Sequence, residues 1–133
     1  FYSLGNFIFQ NETLSPVPQE LYDKYRLPAD ATPADVFDAR SQNDTRGFPA
    51  NPAIWESVLA VIDWRSGRVA EIRLHPLTLG YGWPRSQRGR PFLAPAPLGE
   101  KILFRLADLS TAYGTRIEIE SDQEGHVVGV VRG

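Results

Sequence analysis

The chain has 133 residues, 42% of them apolar and 23% charged, which fits one modest globular core and excludes a disordered or low-complexity composition. It contains no Cys and only two His, so disulfides, thiolate metal sites and a cysteine nucleophile are excluded from it. The net charge of −2 argues against a nucleic-acid binder, which carries a basic excess.

The sequence opens at Phe1, has no Met, and shows no signal peptide and no apolar run of membrane-spanning length. The first segment, Phe1 to Phe9, places Phe1, Phe7 and Phe9 on one face of a strand and Tyr2, Leu4 and Ile8 on the other. A strand apolar on both faces is expected to be central, with neighbours and covering layers, so the chain reads as part of a larger domain. Within it, Gly5 and Asn6 mark a close backbone approach beside amide hydrogen-bonding groups, either a ligand contact or a bulge that Asn6 satisfies.

Residues 10–54 read as a long irregular insertion or lid, rich in proline. Two short helices are expected inside it. One covers Gln19 to Tyr25; the other has Thr32 as N-cap, Pro33 at the first helical position and Asp35 in the first turn. Its acidic residues lack calcium-loop spacing and read as a solvated face. Ser41 to Asn51 has turn chemistry throughout.

Glu56 to His75 is the clearest hairpin. Val58 to Ile62 form a near-continuous apolar strand, expected to be the more deeply buried of the two, and Arg65-Ser66-Gly67-Arg68 makes the turn. The return strand alternates, with Ala70, Ile72 and Leu74 facing one way and Glu71, Arg73 and His75 the other. His75-Pro76 is expected to end it. His75 is a lone histidine on a polar face and reads as a surface residue.

Trp83 to Pro91 is a loop carrying Arg85, Arg88 and Arg90. Three guanidinium groups within six positions suit bidentate binding of carboxylate or phosphate; the same groups also read as a solvated arginine loop or as salt-bridge donors to another part of the fold. Pro97 then opens a helix in which Leu98, Ile102, Leu106 and Leu109 recur at helical spacing, with Gly114 as its stop signal. A last hairpin runs from Thr115 to Val131, with its turn at Asp122-Gln123-Glu124-Gly125. His126 is expected to pair with Asp122 or Glu124. No catalytic motif stands out, since neither Ser3 nor Ser57 has a His at a recognisable spacing.

Phe1-Tyr2-Ser3-Leu4-Gly5-Asn6-Phe7-Ile8-Phe9-Gln10 resembles the C-terminal signature of the bacterial CapA family, poly-γ-glutamate capsule biosynthesis proteins of metallophosphatase-like fold. Residues 56–76, Arg88 to Pro91, Arg105 to Ser110 and Tyr113 to Ile117 resemble that family's closing sections. The resemblance implies an α+β fold, the C-terminal part of a calcineurin-like β-sandwich flanked by helices. Residues 1–133 would then be one C-terminal segment of a larger CapA-like domain, completed by the N-terminal remainder of that domain.

The family's metal-ligating motifs lie upstream of the segment matched here. The resemblance therefore implies a metal-dependent hydrolase in the full-length protein. Its divalent ions would be bound elsewhere, and this segment would supply no catalytic residue, metal ligand or cofactor. Substrate contacts would come from Gly5, Asn6, Arg85, Arg88 and Arg90, the ligand being an anionic polymer or a phosphorylated compound, and the setting the bacterial cell envelope. The alternatives are a non-catalytic envelope-assembly or anion-binding component, and an autonomous β-rich module. An unpaired first strand would also favour self-association.

Overall fold

A computed structural model of the chain describes residues 16–132 together with Ile8. The strand expected over residues 1–9, with Gly5 and Asn6, lies outside those residues apart from Ile8, which is exposed. Among the described residues the architecture is α+β, with an antiparallel sheet of five strands and three α-helices. The helices are α1 (Gln19–Tyr25), α2 (Pro33–Ser41) and α3 (Ala96–Thr111). The strands are β1 (Glu56–Arg65), β2 (Arg68–Thr78), β3 (Phe92–Leu93), β4 (Glu118–Ser121) and β5 (Val127–Arg132). The sheet order is β1-β2-β5-β4, and β3 pairs with the far end of β2.

Local sequence chemistry sets most boundaries. The Thr32 hydroxyl accepts from the Asp35 amide, and the Asp35 carboxylate accepts from the Thr32 amide at 2.7 Å, a reciprocal capping box that starts α2. Ser66 and Gly67 take left-handed φ values of 50° and 76°, the twist a two-residue hairpin turn between β1 and β2 needs. At the last hairpin, the Asp122 carboxylate accepts from the amides of Glu124 (2.9 Å) and His126 (2.8 Å), closing the turn. Those two bonds, the His126 amide first, hold the Asp122 carboxyl below its ordinary value of 3.8. His126 Nδ1 stands 3.4 Å from the same carboxylate.

The core lies between α3 and one face of the sheet. Leu103 is fully buried against Leu74 and Val127, ringed by Ala60, Ile72, Leu106, Ile117, Ile119 and Val131. Gly129 makes this packing feasible. A Cβ there would stand 2.9 Å from Leu103 Cδ2 and 3.0 Å from Ile117 Cγ2, so a side chain at this position would have to displace one of them for the helix to sit as low on β5. The buried side of α3 is Gly99, Ile102 and Leu103, with Leu106 beside them. Leu109, expected on that side, is exposed one turn further along.

Three further expectations need correcting. Pro76 does not end β2, which runs on to Thr78. The Pro76 carbonyl accepts from Ala94 on the β3 side, so its missing N–H would also point to that side, away from the β1 ladder. The two-residue strand β3 was not anticipated.

The third correction concerns burial in the first hairpin. The apolar strand β1 is the exposed member and β2 the buried one. The reason is position: β1 is a margin of the sheet among the described residues, whereas β2 is flanked by β1 and β5. At β5 the sheet is covered on both faces, since Val127 faces α3 while Val128 and Val130, also buried, point the other way.

Candidate functional site: the arginine loop

The chain leaves β2 at Thr78 and returns at β3 through residues 79–91. Short-range backbone bonds shape this loop: Trp83 N–H to Gly80 (3.0 Å), Gln87 N–H to Pro84 (2.8 Å), and Gly89 N–H to Leu79 (2.7 Å). Gly80 has φ +82°, and a Cβ on it would lie 2.7 Å from the Trp83 ring, so glycine is required on both counts. Trp83 in turn stacks at a tilt on Phe92, with ring centroids 5.3 Å apart.

The three arginines have different fates. Arg88 is buried, only 8% exposed, and lies on the Trp55 ring with its guanidinium carbon 5.2 Å from the centroid. Its two terminal nitrogens grip the Asp44 carboxylate, Nη1 on Oδ2 and Nη2 on Oδ1 at 3.3 Å. Arg85 is a third exposed and donates from Nη2 to Asp38 Oδ1 at 2.6 Å. Arg90 is exposed, with its guanidinium 5.7 Å from the Phe92 centroid.

Asp38 and Asp44 come from α2 and the turn after it, so the arginine loop clasps this helix and its turn to the end of the sheet. The backbone around Asp44 is unusual. Gln42, Asn43 and Asp44 all have positive φ, between 50° and 63°. Non-glycine residues avoid this region, at a cost of about 1–2 kcal/mol each, reduced for Asn and Asp. The tight turn is held by its own bonds, from the Asp44 amide to Ser41 Oγ (3.1 Å) and from Ser41 Oγ to the Phe37 carbonyl (2.8 Å), and by Arg88 from outside. The hydrogen bond from Arg88 is the chief reason the Asp44 carboxyl sits below its ordinary value of 3.8; partial burial opposes it. Beneath the clasp, Trp55 is buried and donates its indole N–H to the Pro49 carbonyl at 3.1 Å.

Of the residues singled out from sequence, the structure brings Arg85, Arg88 and Arg90 onto one loop and gives the first two to carboxylates. Gly5 and Asn6 lie outside the described residues. His75 lies opposite Leu59 in the β1–β2 ladder, and His126 in the far hairpin.

Two features were missed. Glu56, at the start of β1, is buried to 3% of its side chain and lies 3.1 Å from Lys101 and 2.5 Å from Arg105, both on α3. Its spacing to those bases in sequence gives no signal. The other is an open groove of about 500 Å³ beside the end of α3, lined by Phe104, Ala107, Asp108, Thr111, Arg116 and Ile117. Phe104, an aromatic off the Leu98, Ile102 and Leu106 face of α3 and 62% exposed, is the signal that could have found it. No described helix is long and apolar enough to cross a membrane.

No family model matches the chain. The sequence is similar to two proteins of Sinorhizobium fredii (strain NBRC 101917 / NGR234), the uncharacterized proteins y4sH and y4uA. With each it is 41% identical over 142 residues, an alignment that takes in 99% of this chain. The chain spans 29% of the length of these curated relatives.

Proposed function

We propose that the chain is the C-terminal part of a CapA-like protein of metallophosphatase-type fold that acts in the synthesis or export of an anionic polymer such as poly-γ-glutamate. The resemblance of residues 1–10 and 56–76 to that family carries the reading. The α+β architecture and the greater length of the bacterial relatives are in keeping with it. On this reading the hydrolytic metals and their ligands belong to the rest of the protein. This segment closes the domain and contributes a polymer-facing loop.

Within that loop the geometry favours a division of labour. Arg88 is committed to Asp44 and Trp55 and serves as framework. Arg90 and the partly exposed Arg85, beside Trp83, present the accessible charge. A polymer carboxylate would compete with Asp38 for Arg85 and meet Arg90 directly.

The alternative, a non-catalytic envelope-assembly component, is favoured by one observation: Arg85 and Arg88 both hold α2 and its turn in place, which is a structural duty.

Titration of the full-length protein with poly-γ-glutamate, followed by Trp fluorescence, tests the first reading. The double variant Arg85→Gln/Arg90→Gln is expected to weaken binding about 3- to 10-fold, the scale of two partly solvated charge contacts. Unchanged affinity assigns the loop to the structural role. Normal surface polymer in a host lacking the gene overturns the capsule reading itself.

A further inference from the structure

We infer that α2 is an autoinhibitory element of the arginine loop: Asp38 occupies Arg85 as a ligand carboxylate would, so α2 and an anionic polymer compete for the same guanidinium, an inference that rests on the polymer reading of the loop.

Arg85 and Arg88 leave one loop three positions apart, and each meets a carboxylate from α2 or its turn. The two pairs are built differently. Arg88 has 7% of its side chain exposed, lies over Trp55, and grips an Asp44 that is also tied to Ser41. That pair is part of the frame. The Arg85–Asp38 pair stands in reach of water, its side chains 33% and 41% exposed. Asp38 Oδ1 accepts from Nη2 at 2.6 Å and Oδ2 from Nη1 at 3.5 Å, the forked arrangement that any carboxylate would adopt on a guanidinium. Among the described residues the Asp38 carboxylate has no other hydrogen bond.

Asp35 lies one turn before Asp38 on the same side of α2. Its carboxyl is held below the ordinary value of 3.8 chiefly by the hydroxyl and amide of Thr32, and the Arg85 charge acts in the same direction. The side of α2 toward the loop is thus a short row of carboxylates, the chemistry of an anionic polymer supplied from within the chain.

Exchanging one carboxylate for another on a solvent-reached fork is close to neutral, because equivalent bonds form and the displaced group returns to water. Arg90 tips the balance. Its guanidinium lies over Phe92 and meets no carboxylate among the described residues. A polymer with repeated carboxylates can engage Arg90 while taking Arg85, whereas Asp38 engages Arg85 alone. The Arg88–Asp44 pair keeps the turn after α2 attached throughout, so the exchange loosens the helix without detaching it. Competition is reciprocal: what α2 costs the polymer in affinity, the polymer costs α2 in docking.

The full-length protein is titrated with poly-γ-glutamate. Asp38→Asn keeps the shape of the side chain and removes its charge, and is expected to bind the polymer about 2- to 5-fold more tightly than wild type, the scale of one partly exposed ion pair. Two controls are expected to bind as wild type does. Glu124→Gln removes one exposed carboxylate from the last hairpin, and Thr32→Ala weakens the start of α2 while leaving every charge in place. Hydrogen exchange gives a second readout: the polymer is expected to speed exchange of residues 33–41 in wild type and to leave it unchanged in Asp38→Asn. Asp38→Asn binding no tighter than wild type, either control binding as tightly as Asp38→Asn, or wild-type α2 amides slowed by the polymer each overturns the competition while the polymer reading stands. Absence of binding by both wild type and Asp38→Asn overturns the polymer reading and the competition with it.

Discussion

Arg88 shows how one side chain can be framework and look like a binding residue. Its guanidinium lies over a buried indole, and its fork ends on Asp44, which sits in a run of three left-handed residues. Arg88→Gln removes the ion pair and the ring contact together. The expected loss is about 1–2 kcal/mol, kept low because Asp44 retains a third of its side chain in water. The dependence on pH has a definite sign. Asp44 has a lowered folded pKa, so its contribution is complete above the ordinary value of 3.8 and fades as pH falls through the folded value. The stability gap between the wild-type protein and Arg88→Gln should therefore be constant from neutral pH down to about 4 and narrow below it. Thermal melts across that range check this, and a gap that widens on acidification would refute the assignment. That these arginines suit salt bridges to another part of the fold was legible in the sequence; which carboxylates they meet was not. The three arginines and the acidic excursion were visible, but Arg85–Asp38 and Arg88–Asp44 span 47 and 44 positions, and no local rule links them.

At the scale of elements, α3 is fixed to the sheet by its core face around Leu103, by one close approach and by one buried carboxylate. Gly129→Val would place branched carbons where Leu103 and Ile117 already stand within 3.0 Å. Overpacking of this kind costs about 1–3 kcal/mol, and denaturant unfolding should show it as a lower midpoint. Glu56 gives an asymmetric prediction. Its Oε1 accepts from Lys101, while Oε2 meets Arg105 as an ion pair rather than an aligned hydrogen bond. Both bases are substantially exposed and can return to water; the carboxylate cannot. Lys101→Ala/Arg105→Ala should thus destabilise the protein more than Glu56→Gln does, because it strands a buried charge. The reverse order in the same assay would mean that the carboxylate is solvated. The elements themselves were largely legible, because their signals are local. Thr32 and Asp35 announce α2, Gly67 the first hairpin, and Asp122 to Gly125 the last. What misled was Pro76. Its effect depends on which side of β2 its nitrogen faces, and that is fixed by β3, two residues long and 14 positions beyond Thr78 at its pairing partner Phe92.

At the scale of the whole molecule, the apolar run Val58 to Ile62 reads as a buried strand, yet among the described residues it stands at the margin of the sheet. Sequence reports the environment a strand is suited to; the environment it obtains depends on how much of its sheet is present. That difference has an energetic size. Covering Leu59, Val61, Ile62 and Trp64, each now more than a third exposed, would contribute about 0.5–1.5 kcal/mol for each aliphatic residue and about 2–4 kcal/mol for the tryptophan, at roughly 25 cal/mol per Å². The sum, several kcal/mol, is a large share of a small domain's net stability. Among the described residues, β1 offers open backbone groups and apolar surface along one edge, a combination that drives strand-to-strand association when residues 1–133 are produced alone. We expect sedimentation of that chain to show a mass rising with concentration, while circular dichroism retains its mixed helix and strand signal. Leu59→Lys/Val61→Lys places two charges on this edge, on the face away from α3, and should return the chain to monomer with the same spectrum. A wild-type chain that stays monomeric up to high concentration would show that β1 tolerates exposure, and that its composition has some cause other than a covering partner.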